Sequence, residues 1–318
     1  MNKRLGLLSV LLLIQMVLVA IALLAPLGGD DTPPQLLSFD VDAVDTLTIS
    51  DGAADVEVSR AQGTWTVAGV RADEAKIKEL LDKLASIDAP WPVATSSASA
   101  ARFEVSESDY QRHVRLYAAD AVVAELYLGT SPGYQRVHAR RADSDEVFSV
   151  PLSNYEISVD TDGWLDKTAL QMAVAPTRIE ATLLEEAGTS VATLTSTDEG
   201  WLYNGLAADQ DAASTYANRF TTLRVLGLAE QNPDTGEAPT ERGRIQLSNA
   251  DEQLTLVIGR AGDEDDYVVT AEGSGPSFRV AAYIAEQLLM ADADFTVQDD
   301  PVPANEDGAV EDEAESGD

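Results

Sequence analysis

The chain of 318 residues contains no cysteine and only two histidines, His113 and His138. The lack of cysteine excludes disulfides, thiolate metal sites, thiol catalysis and lipid attachment through an N-terminal cysteine. Two histidines are too few for a multi-histidine metal centre. Basic residues are also scarce, because 21 Lys and Arg stand against 55 Asp and Glu, which gives a net charge of −34. A surface of this charge repels phosphate, so the composition argues against a nucleic-acid partner.

The excess of acids also predicts a stability that depends on salt. Acidic residues are spread along the chain, and only 5 lysines and 16 arginines oppose them. Repulsion between like charges destabilises a compact state unless salt screens it, with a Debye length of about 10 Å at 0.1 M. We therefore expect the melting temperature to rise between low salt and molar NaCl in differential scanning calorimetry. A melting temperature that stays constant would contradict adaptation to a saline exterior.

A long apolar run opens the sequence. After Lys3 and Arg4, no charged residue occurs before Asp30. The 23 residues from Leu5 to Leu27 reach roughly 34 Å as a helix, enough to cross a bilayer core of about 30 Å. We therefore predict a transmembrane anchor over residues 1–29, with its basic end in the cytoplasm and the rest of the chain translocated. The predicted location is the inner membrane, with a single span and periplasmic domains.

A cleaved signal peptide is the alternative, since the Ala-Ile-Ala sequence at residues 20–22 offers a small-x-small cleavage site. The apolar stretch of such peptides is usually about 7–15 residues, which is shorter than this run. Either outcome exports residues 30–318. Residues 30–35 are predicted to form a short extended linker, because their paired prolines cannot continue a helix.

Two constant offsets relate the two halves of the sequence. With a shift of 136 residues Trp65 falls on Trp201, and with a shift of 130 residues the sequence Leu-Tyr-Leu-Gly at 126–129 falls on Leu-Val-Ile-Gly at 256–259. Further positions match in character on these offsets: Val70 and Leu206, Asp73 and Asp209, Leu80 and Tyr216, Leu84 and Phe220, Ile87 and Leu223, Phe148 and Phe278, Val150 and Val280. We interpret the halves as two copies of one unit, rather than two unrelated domains with similar periodicity.

The periodicities predict what each copy contains. In the first copy, alternation of polar and apolar residues predicts strands at 45–49, 56–58, 63–67, 114–117, 122–128, 136–140 and 147–150. After the third strand, with Asp73 as its N-cap, a helix is predicted from the apolar stripe Ile77, Leu80, Leu81, Leu84 and Ile87. The predicted fold class is α+β: an N-terminal transmembrane helix followed by two tandem repeats, each an antiparallel sheet packed against a helix.

The predicted repeat domains cover residues 36–172 and 173–297. Within them, the polar and turn-rich segment 160–167 is expected to carry the chain from one copy to the next. The remaining residues, 298–318, form an acidic tail with nine acids, no base and no apolar periodicity from Asp299 onwards. Such a segment cannot bury enough surface to offset its ordering entropy, so the tail is predicted to be disordered.

One motif resembles an enzyme signature. Residues 129–133, Gly-Thr-Ser-Pro-Gly, match the G-x-S-x-G pattern of serine hydrolases. That mechanism uses the N–H after the serine as an oxyanion donor, and Pro132 has none, so we interpret the motif as a hairpin turn. His113 and His138 oppose apolar neighbours on alternating strands, and both are predicted to be solvated surface residues. No catalytic residue is predicted, and a hydrolase that uses Ser131 remains an alternative.

Acidic clusters are candidate calcium ligands. Asp160, Asp162 and Asp166 lie in the turn-rich segment, and residues 263–266 are four consecutive acids in a predicted hairpin turn. A calcium loop requires an oxygen ligand at its fifth position and a glutamate at its twelfth, but these positions hold tryptophan and glutamine here. No metal site is therefore predicted. The chain also contains no nucleotide-binding motif, so no cofactor is predicted.

Trp65 and Trp201 occupy equivalent positions just ahead of the predicted helices. Paired tryptophans can stack on ligands such as sugars or peptides. A large ring at this point would also fill the core between sheet and helix, which is the interpretation that we adopt.

These patterns together resemble a known family. The resemblance lies in Val-Asp-Thr-Leu-Thr-Ile at 44–49, Gly-Thr-Trp-Thr-Val at 63–67, Ala-Asp at 72–73 and Leu-Tyr-Leu-Gly at 126–129, which follow one apolar span. They resemble the domain of unknown function 4340 family, bacterial exported proteins commonly encoded beside ABC transporters of the gliding-motility type. The resemblance covers residues 1 to about 295. It implies no catalytic residue, while the acidic tail departs from the usual pattern.

The resemblance implies a non-enzymatic accessory or scaffold subunit of an ABC-type export system, held in the inner membrane beside the permease and ATPase subunits. A stand-alone periplasmic module that binds an extracellular polymer or peptide is the alternative. Adjacent transporter genes would favour the first, and polysaccharide genes the second. The sequence leaves the oligomeric state open.

Overall fold

In the part of the chain that the structure describes, two antiparallel sheets are accompanied by four α-helices of known bounds and two short 3₁₀ helices, and residues 15–16 are also helical. This computed structural model describes residues 15–16, 34–89, 91–185, 188–229, 239–260, 267–273, 275–289 and 295–296. The predicted fold class, α+β with antiparallel sheets, is confirmed. The predicted anchor over residues 1–29, apart from residues 15–16, and the predicted acidic tail over 298–318 lie outside the described residues. Among the described helices, none combines the length and the apolar character that a membrane crossing requires.

The first sheet has eight strands, in the order β4-β3-β2-β1-β5-β6-β7-β8. Its strands are β1 Thr46–Ser50, β2 Asp55–Ala61, β3 Thr64–Val67, β4 Val70–Arg71, β5 Arg112–Ala118, β6 Ala121–Leu128, β7 Val137–Arg141 and β8 Val147–Val150. Helix α1 (Glu74–Ala85) begins directly after Asp73, and all five residues of its predicted apolar stripe are buried, although Ile87 lies beyond its last turn. The short helix α2 (Ser97–Arg102) precedes β5.

The second sheet has nine strands, in the order β12-β11-β10-β9-β14-β15-β16-β17-β13. Its strands are β9 Arg178–Glu185, β10 Gly188–Thr197, β11 Gly200–Tyr203, β12 Leu206–Ala207, β13 Gly227–Leu228, β14 Thr240–Ser248, β15 Gln253–Arg260, β16 Tyr267–Ala271 and β17 Ser277–Val280. Helix α3 (Gln210–Thr222) follows β12, and its N-cap Asp209 accepts a hydrogen bond from the Ala212 N–H at 2.9 Å. Helix α4 (Ala282–Leu288) follows β17.

The strand order of the second sheet repeats that of the first, with β13 added at its edge. The offsets found in the sequence recur in the strand register. Val137 pairs with Val150 between β7 and β8, and the positions 130 residues later, Tyr267 and Val280, pair between β16 and β17. The alignment between the two halves of the sequence therefore has a structural counterpart in strand order and register.

Several short elements were not predicted. A fourth strand of two residues, Val70–Arg71, precedes α1 and β12 precedes α3 in the same way. The sequence also did not predict helices α2 and α4 and strand β13. A strand of two residues shows no alternation, and a helix of six or seven residues makes at most about two turns, so neither leaves a clear period in the sequence.

The chain divides into two compact units. The first comprises residues 1–63 and 75–160, and the second comprises residues 64–74 and 161–318. The junction segment 160–167, which was predicted to be a polar connection, is in part a core element of the second unit. Within it, Trp164 is fully buried and Leu165 is 1% exposed, and the boundary between the two units, at residues 160 and 161, lies inside the segment that was predicted to carry the chain from one copy to the next. The segment combines polar turn residues with two apolar anchors, and only tertiary contacts decide that these anchors are buried.

Candidate functional site

The two histidines of the first unit lie beneath residues 94–110, which contain α2 and are called the covering segment below. On one face of the first sheet, Tyr127 and Val147 form a small core with Ala100 and Val105, and Ala94, Phe103, Tyr110 and Ala142 pack against it. His138 on β7 is only 8% exposed, and the side chain of His113 on β5 is 14% exposed. The prediction that both are solvated is therefore wrong for His138, and His113 is only partly exposed. Strand alternation assigned them correctly to the face opposite the main core, but residues 94–110 cover that face.

His113 belongs to a ladder of aromatic rings. Its imidazole stacks on the Tyr127 ring with centroids 4.3 Å apart and an interplanar angle of 9°. Its Nε2 lies 2.7 Å from Oε1 of Glu125. Tyr110 lies against both rings, with centroid distances of 5.4 and 5.6 Å. These contacts hold His113 in place between the sheet and the covering segment.

His138 and Arg140 hold the same layer together with polar bonds. Nδ1 of His138 lies 2.9 Å from Oγ1 of Thr130, and the ring packs at 4.3 Å from Phe103. Arg140 is 6% exposed and donates from Nε to the carbonyl oxygen of Val105 at 2.6 Å. Its guanidinium also lies 4.8 Å from the centre of the Tyr127 ring. Buried charges persist only when they are paired or hydrogen-bonded, so Arg140 fastens the covering segment to the sheet.

The burial of His138 predicts a stability that falls in mild acid. Burial, aided by the charge of Arg102, lowers the pKa of His138 from its usual 6.5, although a backbone hydrogen bond at Thr130 opposes the shift. Below about pH 6.5 the unfolded state then binds more protons than the folded state, so the free energy of unfolding decreases as the pH falls, by at most about 1.4 kcal/mol per pH unit. We expect His138→Gln, which cannot titrate, to show a flatter profile between pH 7.5 and 5.5 in urea titrations. Equal slopes in both proteins would contradict this assignment.

The G-x-S-x-G segment forms the connection between β6 and β7, as the hairpin interpretation predicted. The hydroxyl of Ser131 lies 2.7 Å from the carbonyl oxygen of Gly133 and 2.6 Å from that of Arg136, within its own turn. His138 directs Nδ1 to Thr130 rather than to Ser131. Ser131 is therefore a turn residue in this arrangement.

A cleft of about 810 Å³ opens beside this hairpin and belongs entirely to the first unit. Its lining comes from the turn after β1, the start of β5, the β6–β7 connection and the loop after β8: Asp51, Ala53, Gln111, Arg112, Ser131, Gly133, Tyr134, Gln135, Arg136, Val137, Leu152, Ser153, Asn154 and Tyr155. Two tyrosines dominate its open surface, since Tyr134 is 89% exposed and Tyr155 is 96% exposed. Volumes of this order are typical of small-molecule sites.

Internal hydrogen bonds hold the polar side chains of the cleft wall. Arg112 donates from Nε to the carbonyl oxygen of Ile157 at 2.8 Å, and its Nη1 lies 3.8 Å from the carboxylate of Asp51. The N–H groups of Ala54 and Ala53, together with Arg112, hold the pKa of Asp51 below its usual value, so its carboxylate is ionised at neutral pH.

The amides of the wall form a second bonded pair. Nδ2 of Asn154 donates to Oε1 of Gln111 at 2.6 Å, while Oδ1 of Asn154 is buried and accepts no bond from the described residues. Arg136 donates from Nε to the hydroxyl of Ser149 at 2.9 Å. Internal bonds thus hold the polar side chains of the wall, and two exposed aromatic rings belong to the same lining.

The carboxylates of Asp162 and Asp166, two of the aspartates considered as calcium ligands, make protein contacts instead. Oδ1 of Asp162 accepts from the Leu228 N–H at 2.9 Å, and its Oδ2 lies 2.7 Å from Nη2 of Arg279. Asp166 accepts from the Thr168 N–H at 2.9 Å. Across the described ranges, no group of three potential ligands is placed to hold a metal ion. The acidic run at 263–266 lies outside the described residues.

The two tryptophans differ in burial. Trp65 is 7% exposed and fills a core position, as predicted, whereas Trp201 is only half-buried. Neither lines the cleft. Sequence reasoning missed Tyr134 and Tyr155 as the exposed aromatic pair. The available signal was a large ring within a Gly- and Ser-rich turn, where the local pattern provides no core for it to fill.

These features define an α+β protein with two antiparallel sheets of matching strand order and a ligand-sized cleft on the first unit. The family model described as Domain of unknown function (DUF4340) matches residues 65–242, and the chain belongs to this family. The resemblance drawn from the sequence is thereby confirmed. Comparison with curated proteins and with solved structures found no match.

Proposed function

We propose that the protein is a non-enzymatic accessory subunit of an ABC-type export system. In this proposal residues 1–29 anchor it in the inner membrane, and the two tandem repeats stand on the periplasmic side beside the permease and ATPase subunits. The family membership and the apolar run that follows Lys3 and Arg4 support the proposal. The net charge of −34 supports the further expectation that nucleic acid is not a partner.

The observation that carries the proposal is the cleft of the first unit. Internal bonds hold its polar wall, its open surface is aromatic, and its volume suits a ligand. Ser131 bonds within its own turn, and His113 and His138 bond to Glu125 and Thr130, so in these bonds none of the three side chains that were considered for chemistry is paired with another. Such a subunit would present exported material to the transporter or receive it.

Co-purification tests the proposed partnership. Full-length protein with a C-terminal affinity tag is isolated from its native membrane in mild detergent, and the retained proteins are identified by mass spectrometry. We expect permease and ATPase subunits of one transporter, and we expect them to be absent from a control with an equally tagged, unrelated single-pass protein. Recovery of no transporter subunit, under conditions that preserve other inner-membrane complexes, contradicts the proposal.

The absence of cysteine makes the proposed topology directly testable. Val174 is 63% exposed, so Val174→Cys places a single reactive thiol on the second unit. We expect a membrane-impermeant maleimide to label this variant in cells with a permeabilised outer membrane. Asn2→Cys, on the cytoplasmic side of the proposed span, should react only after lysis, and the cysteine-free parent is the background control. Labelling of Val174→Cys only after lysis would contradict a periplasmic location.

The cleft also favours a second candidate, a stand-alone periplasmic module that binds an extracellular polymer or peptide. This candidate predicts ligand binding without a retained transporter. The third possibility, a hydrolase, predicts that Ser131→Ala abolishes function in cells. We expect this variant to behave as the parent does, because the hydroxyl lies within the turn.

A further inference from the structure

The open surface of the cleft is aromatic rather than aliphatic. Its two larger aliphatic residues, Val137 and Leu152, are 2% and 0% exposed and belong to the core. Tyr134 and Tyr155 instead present nearly their whole side chains to solvent. An exposed tyrosine offers a rigid apolar ring face together with a polar hydroxyl, and ordering it costs little conformational entropy. This surface suits a ligand with flat apolar faces and polar edges.

The wall beside the tyrosines is rich in planar hydrogen-bonding groups. The amides of Gln111 and Asn154 and the guanidinium groups of Arg112 and Arg136 lie in it. Each guanidinium carries five N–H donors, and the described bonds of these two arginines use only part of them. A ligand with many hydroxyl groups, each both donor and acceptor, would match this wall.

The negative charge of the protein favours a neutral ligand over an anionic one. The whole chain carries −34, and the ionised carboxylate of Asp51 stands in the cleft wall beside Arg112. The negative field of the whole protein repels a polyanionic ligand, whereas it does not repel a neutral ligand.

A peptide fits the cleft less well. Peptides commonly bind by adding a strand to a free sheet edge or by placing apolar side chains in pockets. At the β8 edge, Val147 already exchanges hydrogen bonds with Ala94 and accepts one from Val93. The buried aliphatic residues of the lining leave no apolar pocket.

We propose that the cleft bearing Tyr134 and Tyr155 binds a neutral saccharide chain, with the two rings packing on sugar faces and the amide and guanidinium groups bonding sugar hydroxyls. This inference rests on the cleft being the recognition site of the proposed function. It names the chemical class of the ligand, which neither the family nor the sequence specifies.

Binding is measured on the full-length chain in lipid nanodiscs, because common glycoside detergents carry sugar headgroups that would compete. Isothermal titration calorimetry uses four probes: dextran oligosaccharides, cellulose oligosaccharides, anionic alginate oligosaccharides and a neutral Gly/Ser-rich peptide. We expect at least one neutral oligosaccharide to bind, with negligible binding of alginate and peptide.

Variants connect that binding to the cleft. Tyr134→Ala and Tyr155→Ala should each raise Kd about tenfold, the equivalent of about 1.4 kcal/mol. The corresponding Phe variants, which keep the ring face, should stay within about threefold of the parent. Tyr283→Ala is the matched control, because Tyr283 is 65% exposed and lies in the second unit. Circular dichroism melts verify that the surface variants fold as the parent does.

Each other outcome overturns the inference. Failure of both neutral oligosaccharides to bind at millimolar concentration rejects it, and so does saccharide binding that is indifferent to both tyrosines. Tyrosine-dependent binding of alginate or peptide instead rejects the ligand class but keeps the cleft as a recognition site. The co-purification tests the transporter partnership without any saccharide. Loss of saccharide binding with transporter subunits retained therefore rejects this inference alone, and loss of the subunits rejects the proposed function.

Discussion

Replacing Trp164 by alanine is expected to lower the free energy of unfolding by about 3–5 kcal/mol, the range for deletion of a large buried aromatic side chain. Trp164 is the largest fully buried side chain among the described residues, with 0% exposure. Its backbone also bonds within the second unit, since its carbonyl oxygen accepts from the Asp73 N–H at 2.8 Å. Truncation to alanine would leave a cavity that the surrounding backbone cannot close.

Trp91→Ala is the matched control, because the same side chain is 84% exposed there. Guanidinium unfolding of the parent and both variants, followed by far-ultraviolet circular dichroism, makes the comparison. The control should lie within about 0.5 kcal/mol of the parent, as surface substitutions do. A loss of less than about 1 kcal/mol for Trp164→Ala would show that the junction segment is not part of the core.

The second large effect is expected from Gly129→Ala. A Cβ at Gly129 would lie 2.0 Å from the carbonyl oxygen of Phe103 and 2.4 Å from that of Glu104. Both contacts are with backbone, so the covering segment has to move away from the hairpin. Overpacking typically costs about 1–3 kcal/mol and occasionally more. We expect about 3 kcal/mol, because the movement also strains the bond from the Thr130 N–H to the Phe103 carbonyl oxygen, now 3.0 Å.

Gly133→Ala provides the control within the same hairpin, since a Cβ there meets no atom within 4 Å. Its stability should stay close to that of the parent. Limited proteolysis should cut residues 94–110 faster in Gly129→Ala, while Gly133→Ala keeps the rate of the parent. A Gly129→Ala protein with unchanged stability and cleavage would mean that the covering segment does not pack on the hairpin in solution.

Both predictions concern places where the local sequence and the tertiary structure disagree. Around Trp164 the local composition is polar and indicates a turn, yet the ring is fully buried. Around Gly129 the motif resembles a catalytic elbow, but the glycine is required by the close approach of residues 103–104. In each case the decisive neighbour is distant in sequence, so no local pattern identifies it.

The candidate site illustrates the same limit. Gln111 follows the covering segment, Tyr134 lies in the β6–β7 connection, and Tyr155 lies in the loop after β8. Each residue is unremarkable in its own stretch of sequence. The cleft exists only because antiparallel pairing of β5, β6, β7 and β8 brings the ends of these strands together. Strand periodicity predicts that the strands exist, but it carries no information on which loops meet.

The sequence by itself determined the α+β class, the helix after Asp73 with its buried stripe, and the equivalence of the two halves. These features are encoded in local periodicities of 2 and 3.6 residues and in offsets that can be read along a single chain. Only the tertiary structure decided that His113, His138 and Arg140 are covered and that Tyr134 and Tyr155 share a cleft. The physical reason is that alternation tells which side chains share a face of a sheet, whereas what packs on that face depends on long-range contacts.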